Sequence, residues 1–241
     1  MKRVFLGMLT PSSNTILEPV TTRMLAGLPE VTAHFGRFRV TEISLSDTAL
    51  GQFDIERQLV AAELLADARV NAILWNGTSA GWMGFDQDRR MCQAITERTG
   101  IPAGSSVLAL EDIFRRTGAR RFGLVTPYID DIQNGVIRNF AQEGFECVAE
   151  RHLGEKVNFA FSEFSADTLA GMVREVAKSR PDAITIFCTN LCGAPLVEAL
   201  ERETGIPIYD TISTAVWSGL RIAGVDPRRV TGWGRLFQEV P

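Results

Sequence analysis

Ala72-Ile73-Leu74-Trp75-Asn76-Gly77-Thr78-Ser79 and Ala183-Ile184-Thr185-Ile186-Phe187-Cys188-Thr189-Asn190 are two versions of one pattern. Each is a short apolar run that passes straight into a small polar turn. Such runs, bounded by turn residues, read as strands buried on both faces. Aligned, the two put Gly77 in the place of Cys188. If the segments face each other across a cleft, one wall carries a thiol and the other carries no side chain.

The repetition extends outward. Thr99-Gly100-Ile101-Pro102 recurs as Thr204-Gly205-Ile206-Pro207, each followed by a serine- or threonine-rich helix start. Val4-Phe5-Leu6-Gly7-Met8-Leu9-Thr10-Pro11 is echoed by Arg121-Phe122-Gly123-Leu124-Val125-Thr126-Pro127. Strands are expected at 4–9, 33–40, 72–75, 121–125, 146–151 and 183–187, with a short one near Ile208. Helices are expected at 18–28, 55–68, 86–99, 107–117, 132–143, 168–179, 195–204 and 214–223. Strand-helix alternation of this kind predicts an α/β fold with parallel sheets covered by helices. The chain therefore reads as two similar halves, residues 1–118 and 119–241, each a parallel sheet flanked by helices. A site is expected in the cleft between them. The junction falls at Gly118, after a predicted helix. No low-complexity linker marks it, so the halves are expected to pack tightly, with the helix after each Thr-Gly-Ile-Pro crossing to the opposite half.

The bulk composition narrows the function. Of 241 residues, 45% are hydrophobic and 22% charged, the balance of an ordinary globular protein. With a net charge of −4 and no basic stripe, nucleic acid is not an expected partner. No run of about 18 apolar residues predicts a membrane span. Met1-Lys2-Arg3-Val4-Phe5-Leu6-Gly7 reads as a strand start rather than a signal peptide. Cys92, Cys147, Cys188 and Cys192 are too few for a disulfide scaffold, which favours a reduced, cytoplasmic setting. With only His34 and His152, a zinc site or histidine triad is hard to assemble, and no metal is expected. No Gly-x-Gly-x-x-Gly follows the first strand, so no dinucleotide cofactor is expected. The oligomeric state is left open, homo-oligomers included.

In open α/β sheets, ligands bind beyond the carboxyl ends of the strands. Four polar clusters stand there: Pro11-Ser12-Ser13-Asn14, Gly77-Thr78-Ser79, Pro127-Tyr128 and Cys188-Thr189-Asn190. Hydroxyls, amides and free backbone N–H groups at helix starts suit a carboxylate. Any one of Ser13, Thr78 or Thr189 reads equally well as a helix N-cap. Four clusters from matching places in two repeats read as a site. Cys188 is expected to be functional because it ends a strand. Cys92 is expected in the core, Cys147 as a structural strand residue, and Cys192 in packing or a pocket wall. Trp75, Trp82, Met83 and Phe85 surround the first turn and read either as an apolar pocket for a substrate side chain or as core; a loop placement of Trp82 and Phe85 after the strand end favours the pocket.

These residues resemble the aspartate/glutamate racemase superfamily, within it the arylmalonate decarboxylase and maleate isomerase branch. Gly77-Thr78-Ser79, Thr126-x-Tyr128-Ile129-Asp130-Asp131, Cys188 and Gly234-Arg235-Leu236-Phe237 carry the likeness to the decarboxylase. Pro11-Ser12-Ser13-Asn14-Thr15 resembles the isomerases, whose asparagine contacts a substrate carboxylate. The resemblance implies a cofactor-free site. Thr78, Ser79 and Tyr128 would hold one carboxylate, and the other would leave as carbon dioxide from an apolar pocket. The Cys188 thiol would then protonate the carbanion on one face. Racemases of the superfamily use a cysteine on each wall, and maleate isomerases attack with the first-half cysteine. Here that position is Gly77. Racemisation needs an acid and a base on opposite faces, whereas decarboxylation draws its electrons from the breaking C–C bond and needs one acid. The expected activity is decarboxylation of a substituted malonate-like diacid. Isomerisation or racemisation of a small dicarboxylate or amino acid is the first alternative. Binding a small carboxylate without turnover is the second. The expected substrate-binding set is Asn14, Gly77, Thr78, Ser79, Tyr128, Thr189 and Asn190, around catalytic Cys188. Thr189 and Asn190 depart from the decarboxylase pattern and, with Asn14, point to an aliphatic, more polar diacid.

Overall fold

The computed structural model describes residues 3–240; Met1, Lys2 and Pro241 lie outside the described residues. The first half runs β1 (Val4–Pro11), α1 (Leu17–Met24), β2 (Val31–Phe38), α2 (Asp47–Leu50), α3 (Ile55–Asp67), β3 (Ala72–Trp75), α4 (Ala80–Met83), α5 (Phe85–Thr99), β4 (Ala103–Ser105) and α6 (Ser106–Thr117). The second runs β5 (Arg121–Thr126), α7 (Asp130–Gln142), β6 (Glu146–His152), α8 (Ala166–Ala177), β7 (Ala183–Ile186), α9 (Val197–Thr204), β8 (Ile208–Asp210), α10 (Thr211–Ile222) and α11 (Arg235–Glu239). The strands form two four-stranded sheets in the same order, β2-β1-β3-β4 and β6-β5-β7-β8. Every pairing within them is parallel.

Burial explains the strands. All residues of β3 and β7 are buried, as expected for central strands covered on both faces. The repeated Thr-Gly-Ile-Pro has a mechanical reason. Gly100 and Gly205 end α5 and α9 in the left-handed region, at φ +70° and +73°, where a Cβ would be strained. Each following strand is three residues long and feeds a helix capped by its last side chain. Ser105 accepts from Leu108 N–H, and Asp210 accepts from Ile212 N–H.

The two sheets share helices. α10 lies against the first sheet, so closely that a Cβ on Gly219 would stand 3.0 Å from Leu74. α6 reaches the second half, where Phe114 packs on Phe122, Phe145 and Tyr209 with ring centroids 5.5, 5.3 and 6.1 Å away. Thr214 Oγ1 donates to Ser106 C=O at 2.9 Å and ties the two helix starts together.

Some details differ from the sequence expectation. β2 spans 31–38 rather than 33–40, and α1 stops at Met24 before a short 3₁₀ turn. Trp82 and Phe85 sit on α4 and at the start of α5 rather than in a loop. Among the described residues, no helix is long and apolar enough to cross a membrane.

Candidate active site

β1 and β3 are neighbours at the middle of one sheet, and β5 and β7 at the middle of the other. In each pair the chain leaves toward opposite edges, which opens a crevice beyond the strand ends. The four polar clusters occupy these two crevices. A narrow cavity of about 20 Å³ lies there, lined by Pro11, Val40, Ile43, Phe53, Trp75, Gly77, Thr78, Ser79, Trp82, Tyr128, Asn158, Cys188 and Thr189. That is room for about one water, so a diacid enters only when the side chains around it part.

Six of the eight residues expected at the site meet in this lining: Gly77, Thr78, Ser79, Tyr128, Cys188 and Thr189. Asn14 and Asn190 do not line it, because their amides are committed to the scaffold. Asn14 Oδ1 accepts from the N–H groups of Ile16 and Leu17, and its Nδ2 donates to Thr189 C=O at 3.0 Å. Asn190 Oδ1 accepts from Thr15 N–H, and its Nδ2 donates to Asn158 C=O at 2.6 Å. The two asparagines stitch the β1 loop to the β7 loop. The Thr189 hydroxyl is occupied as well, donating to Asn76 C=O at 3.0 Å. The polar character that Asn14 and Asn190 were expected to give the cavity is therefore absent from its surface.

The polar wall is built from three groups. The hydroxyls of Thr78 and Tyr128 are hydrogen-bonded at 2.5 Å, and Tyr128 stands near enough to the Cys188 sulfur to lower its pKa slightly. Asn190 N–H points at that sulfur from 3.4 Å. Burial dominates the sulfur's acidity. It pushes the Cys188 thiol up to about 12, against the smaller opposing pull of the Asn190 N–H, Tyr128 and Leu191 N–H. Burial also holds the Tyr128 phenol well above its ordinary range. At neutral pH both groups carry their protons, and the wall is a set of donors with no net charge.

Much of the rest of the lining is apolar. Trp75 packs on Phe38 with ring centroids 5.0 Å apart, and its Nε1 donates to Ser79 Oγ at 3.4 Å. Trp82 stands edge-on to Phe53 and Tyr128, at 5.9 and 5.3 Å. Its Nε1 is buried and has no protein acceptor among the described residues. A Cβ placed on Gly77 would fall inside the Trp75 indole, with one ring carbon 2.6 Å away and two closer still.

Sequence reasoning missed Val40, Ile43, Phe53 and Asn158. They lie on two segments that leave the edge strands β2 and β6 and meet over the cavity. Glu42 and Val157 form an isolated antiparallel bridge, Ile43 N–H donates to Lys156 C=O at 2.8 Å, and Asn158 N–H donates to Thr41 C=O at 3.0 Å. The repeat was the available signal: a segment after β2 that covers the site implies a counterpart after β6. His34 on β2 and His152 on β6 stand outside the lining, the latter between Glu150 and Asp130. Cys92, Cys147 and Cys192 are free thiols outside it.

The sequence model of the arylmalonate decarboxylase family matches residues 14–237, nearly the whole chain. The chain belongs to the arylmalonate decarboxylase family. Among relatives of this family member, the arylmalonate decarboxylase of Bordetella bronchiseptica is 26% identical over 97% of this chain and 96% of its own length. The maleate isomerase of Nocardia farcinica is 27% identical over 97% and 95%. Among solved structures, maleate isomerase Iso from Pseudomonas putida S16 superposes with a TM-score of 0.92, 25% identity and full coverage of both chains. A Nocardia farcinica maleate cis-trans isomerase mutant, with a covalently bound succinylcysteine intermediate, superposes at 0.90 with 27% identity and 98% coverage of each chain. The family is thus one of enzymes, with decarboxylases and isomerases built on the same pair of sheets.

Proposed function

We propose that the chain is a cofactor-independent decarboxylase of malonates bearing an apolar α-substituent, with Cys188 as the proton donor. One observation carries the reading: Cys188 is the one cysteine in the cavity lining, and the wall that would hold a second one is Gly77 beneath an indole.

The steps follow from the residues. Thr78, Ser79 and Tyr128 hold the carboxylate that is retained. Trp82 Nε1, buried without a protein acceptor, is one more donor that a carboxylate oxygen would satisfy. The second carboxylate lies against Val40, Ile43, Phe53 and Trp75, where an anion is poorly solvated and loss of neutral carbon dioxide is favoured. The C–C bond breaks and its electron pair passes into the retained carboxylate as an enediolate. Fixed donors stabilise that charge, on the order of 3 kcal/mol for each well-placed one. The Cys188 S–H then gives its proton to the α-carbon, and water returns a proton to the thiolate.

Covalent isomerisation through a succinylcysteine, the intermediate bound in the Nocardia farcinica enzyme, asks for a thiolate nucleophile. A thiol whose burial holds its proton to about pH 12 favours donation over attack. The deciding experiment incubates the protein with α-substituted malonates, and separately with maleate, and follows carbon dioxide and fumarate. Carbon dioxide from a malonate, lost in Cys188→Ser while the malonate still raises that variant's Tm, is expected. Fumarate without carbon dioxide would replace this reading with the isomerase, and a Tm rise without either product would replace it with a binding protein.

A further inference from the structure

We propose that Trp75 is the specificity-determining residue that makes the cavity one-faced: its indole fills the volume that a side chain at position 77 would need, and closes that face to water. The inference rests on the decarboxylase reading for its functional half and on packing alone for its structural half.

The backbone does not require glycine at 77. The glycines with positive φ are nine others, and Gly77 is not among them. An ordinary L-residue fits its dihedral angles, so the glycine is there for space. What fills the space is named: the nearest atoms to a Cβ at 77 are all in the Trp75 indole. Residues 75 and 77 lie two apart at the end of one strand, so their side chains share a face. The second half repeats the arrangement with the opposite choice. There Ile186 stands in the place of Trp75, and Cys188 in the place of Gly77. A short branched side chain leaves room for the thiol, and a large flat one takes it. The two positions are therefore a matched pair in each half. The exchange of Ile/Cys for Trp/Gly converts an acid-base wall into an apolar one.

The functional consequence concerns the carbanion. It is planar at the α-carbon and accepts a proton from whichever face offers one. Cys188 offers one from its wall. Water seated on the Gly77 wall would offer another and erode the stereochemistry. A water needs room and polar partners. The indole removes the room, and by donating to Ser79 Oγ it takes an acceptor site a water would otherwise use, leaving that hydroxyl free to donate to a carboxylate.

Two measurements test this. The first is a thermal-unfolding cycle over Gly77→Ala, Trp75→Ile and the double variant, with Trp75→Phe as a milder replacement should Trp75→Ile fold poorly. Gly77→Ala alone is expected to lower Tm by about 5 °C, as overpacking does, and to cost little once Trp75 is replaced. Equal losses in both backgrounds would overturn the structural half. The second uses an α,α-disubstituted malonate with two different substituents, and reads the ratio of product enantiomers. Wild type is expected to give chiefly one enantiomer, with the ratio falling roughly tenfold in Trp75→Ile and less in Trp75→Phe. An unchanged ratio in variants that still release carbon dioxide would overturn the functional half. If wild type releases no carbon dioxide from any malonate, the decarboxylase reading fails and takes that half with it, while the unfolding cycle still reports on the indole.

Discussion

At the scale of single residues, burial sets the protonation of the site and of its support. The Cys188 thiol, raised to about 12, stays protonated through the neutral range. If donation limits the rate, kcat/KM is expected to stay level from pH 7 to pH 10 and to decline only as pH approaches 12. Attack by a thiolate would instead raise it tenfold for each pH unit over that span, and such a rise would remove Cys188 from the donor role. A second buried group gives a stability prediction. Asp210 caps α10 with no exposed surface, and burial pushes its carboxyl up to about 7 from the usual 3.8. Between pH 4 and 7 the folded chain keeps this proton and the unfolded chain releases it. Stability from this group is therefore complete below pH 4 and falls as pH rises through 7, by roughly 1.4 kcal/mol per unit. Asp88, buried beside Ser105 and likewise raised to about 7, adds the same slope. Asp210→Asn keeps a good cap and is expected to make the fall of unfolding free energy between pH 5 and 7 shallower by up to roughly 1.4 kcal/mol per unit, measured by urea titration. An unchanged slope would mean that Asp210 is ionised in the folded protein.

At the scale of elements, the cavity depends on a seam between two segments that leave the edge strands, 39–54, which carries α2, and 153–158. Ser13 is its pivot. Its hydroxyl donates to Val40 C=O at 2.7 Å and accepts from Asn158 Nδ2 at 2.8 Å. Ser13→Ala removes both bonds and strands a buried amide, a loss of roughly 1–3 kcal/mol. Because the seam is local, that loss is expected as faster opening there: hydrogen exchange at the Ile43 and Asn158 amides should rise about tenfold or more while the central strands hold. Uniform acceleration across the sheets would show that Ser13 supports the whole fold instead. The same distinction between regular and irregular elements decided what could be read in advance. β3 and β7 are unbroken apolar runs, and the α5 and α9 helices end in the repeated Thr-Gly-Ile-Pro, so the two-sheet plan and the strand-end clusters were legible. β4, Ala103-Gly104-Ser105, has no apolar pattern; its place comes from pairing with β3. The seam is held by backbone bonds across more than a hundred residues, which no local pattern encodes. Gly77 was legible as a missing thiol, but not its dependence on Trp75, since only packing shows which way the indole lies. Asn14 sits in the right loop, yet its amide is taken by Thr189 at 3.0 Å, a partner 175 residues away.

At the scale of the whole molecule, the halves repeat in sequence but interleave in space. α10 belongs by chain order to the second half, yet packs on Leu74 and Leu6 of the first sheet through Gly219. Its buried face, including Ile212, Val216 and Leu220, is apolar for much of its length. α6 repays the exchange by setting Phe114 among Phe122, Phe140, Phe145 and Tyr209. A fragment ending at residue 118 would expose Phe114 and leave one face of its own sheet without α10. A fragment starting at residue 119 would carry α10 with nothing to cover. Burying a large apolar side chain contributes about 1.5–3 kcal/mol. Several such losses in each fragment exceed what a domain's net stability of roughly 5–15 kcal/mol allows. The expectation is that residues 1–118 and 119–241, produced separately, each lack a cooperative unfolding transition, while the intact chain unfolds in one step, with circular dichroism and tryptophan fluorescence coinciding. Mixing the fragments should restore the transition, because each supplies the helix the other needs. A sharp transition in either fragment alone would show that the crossing helices are not required for folding, and that the cleft between the sheets joins two independent domains.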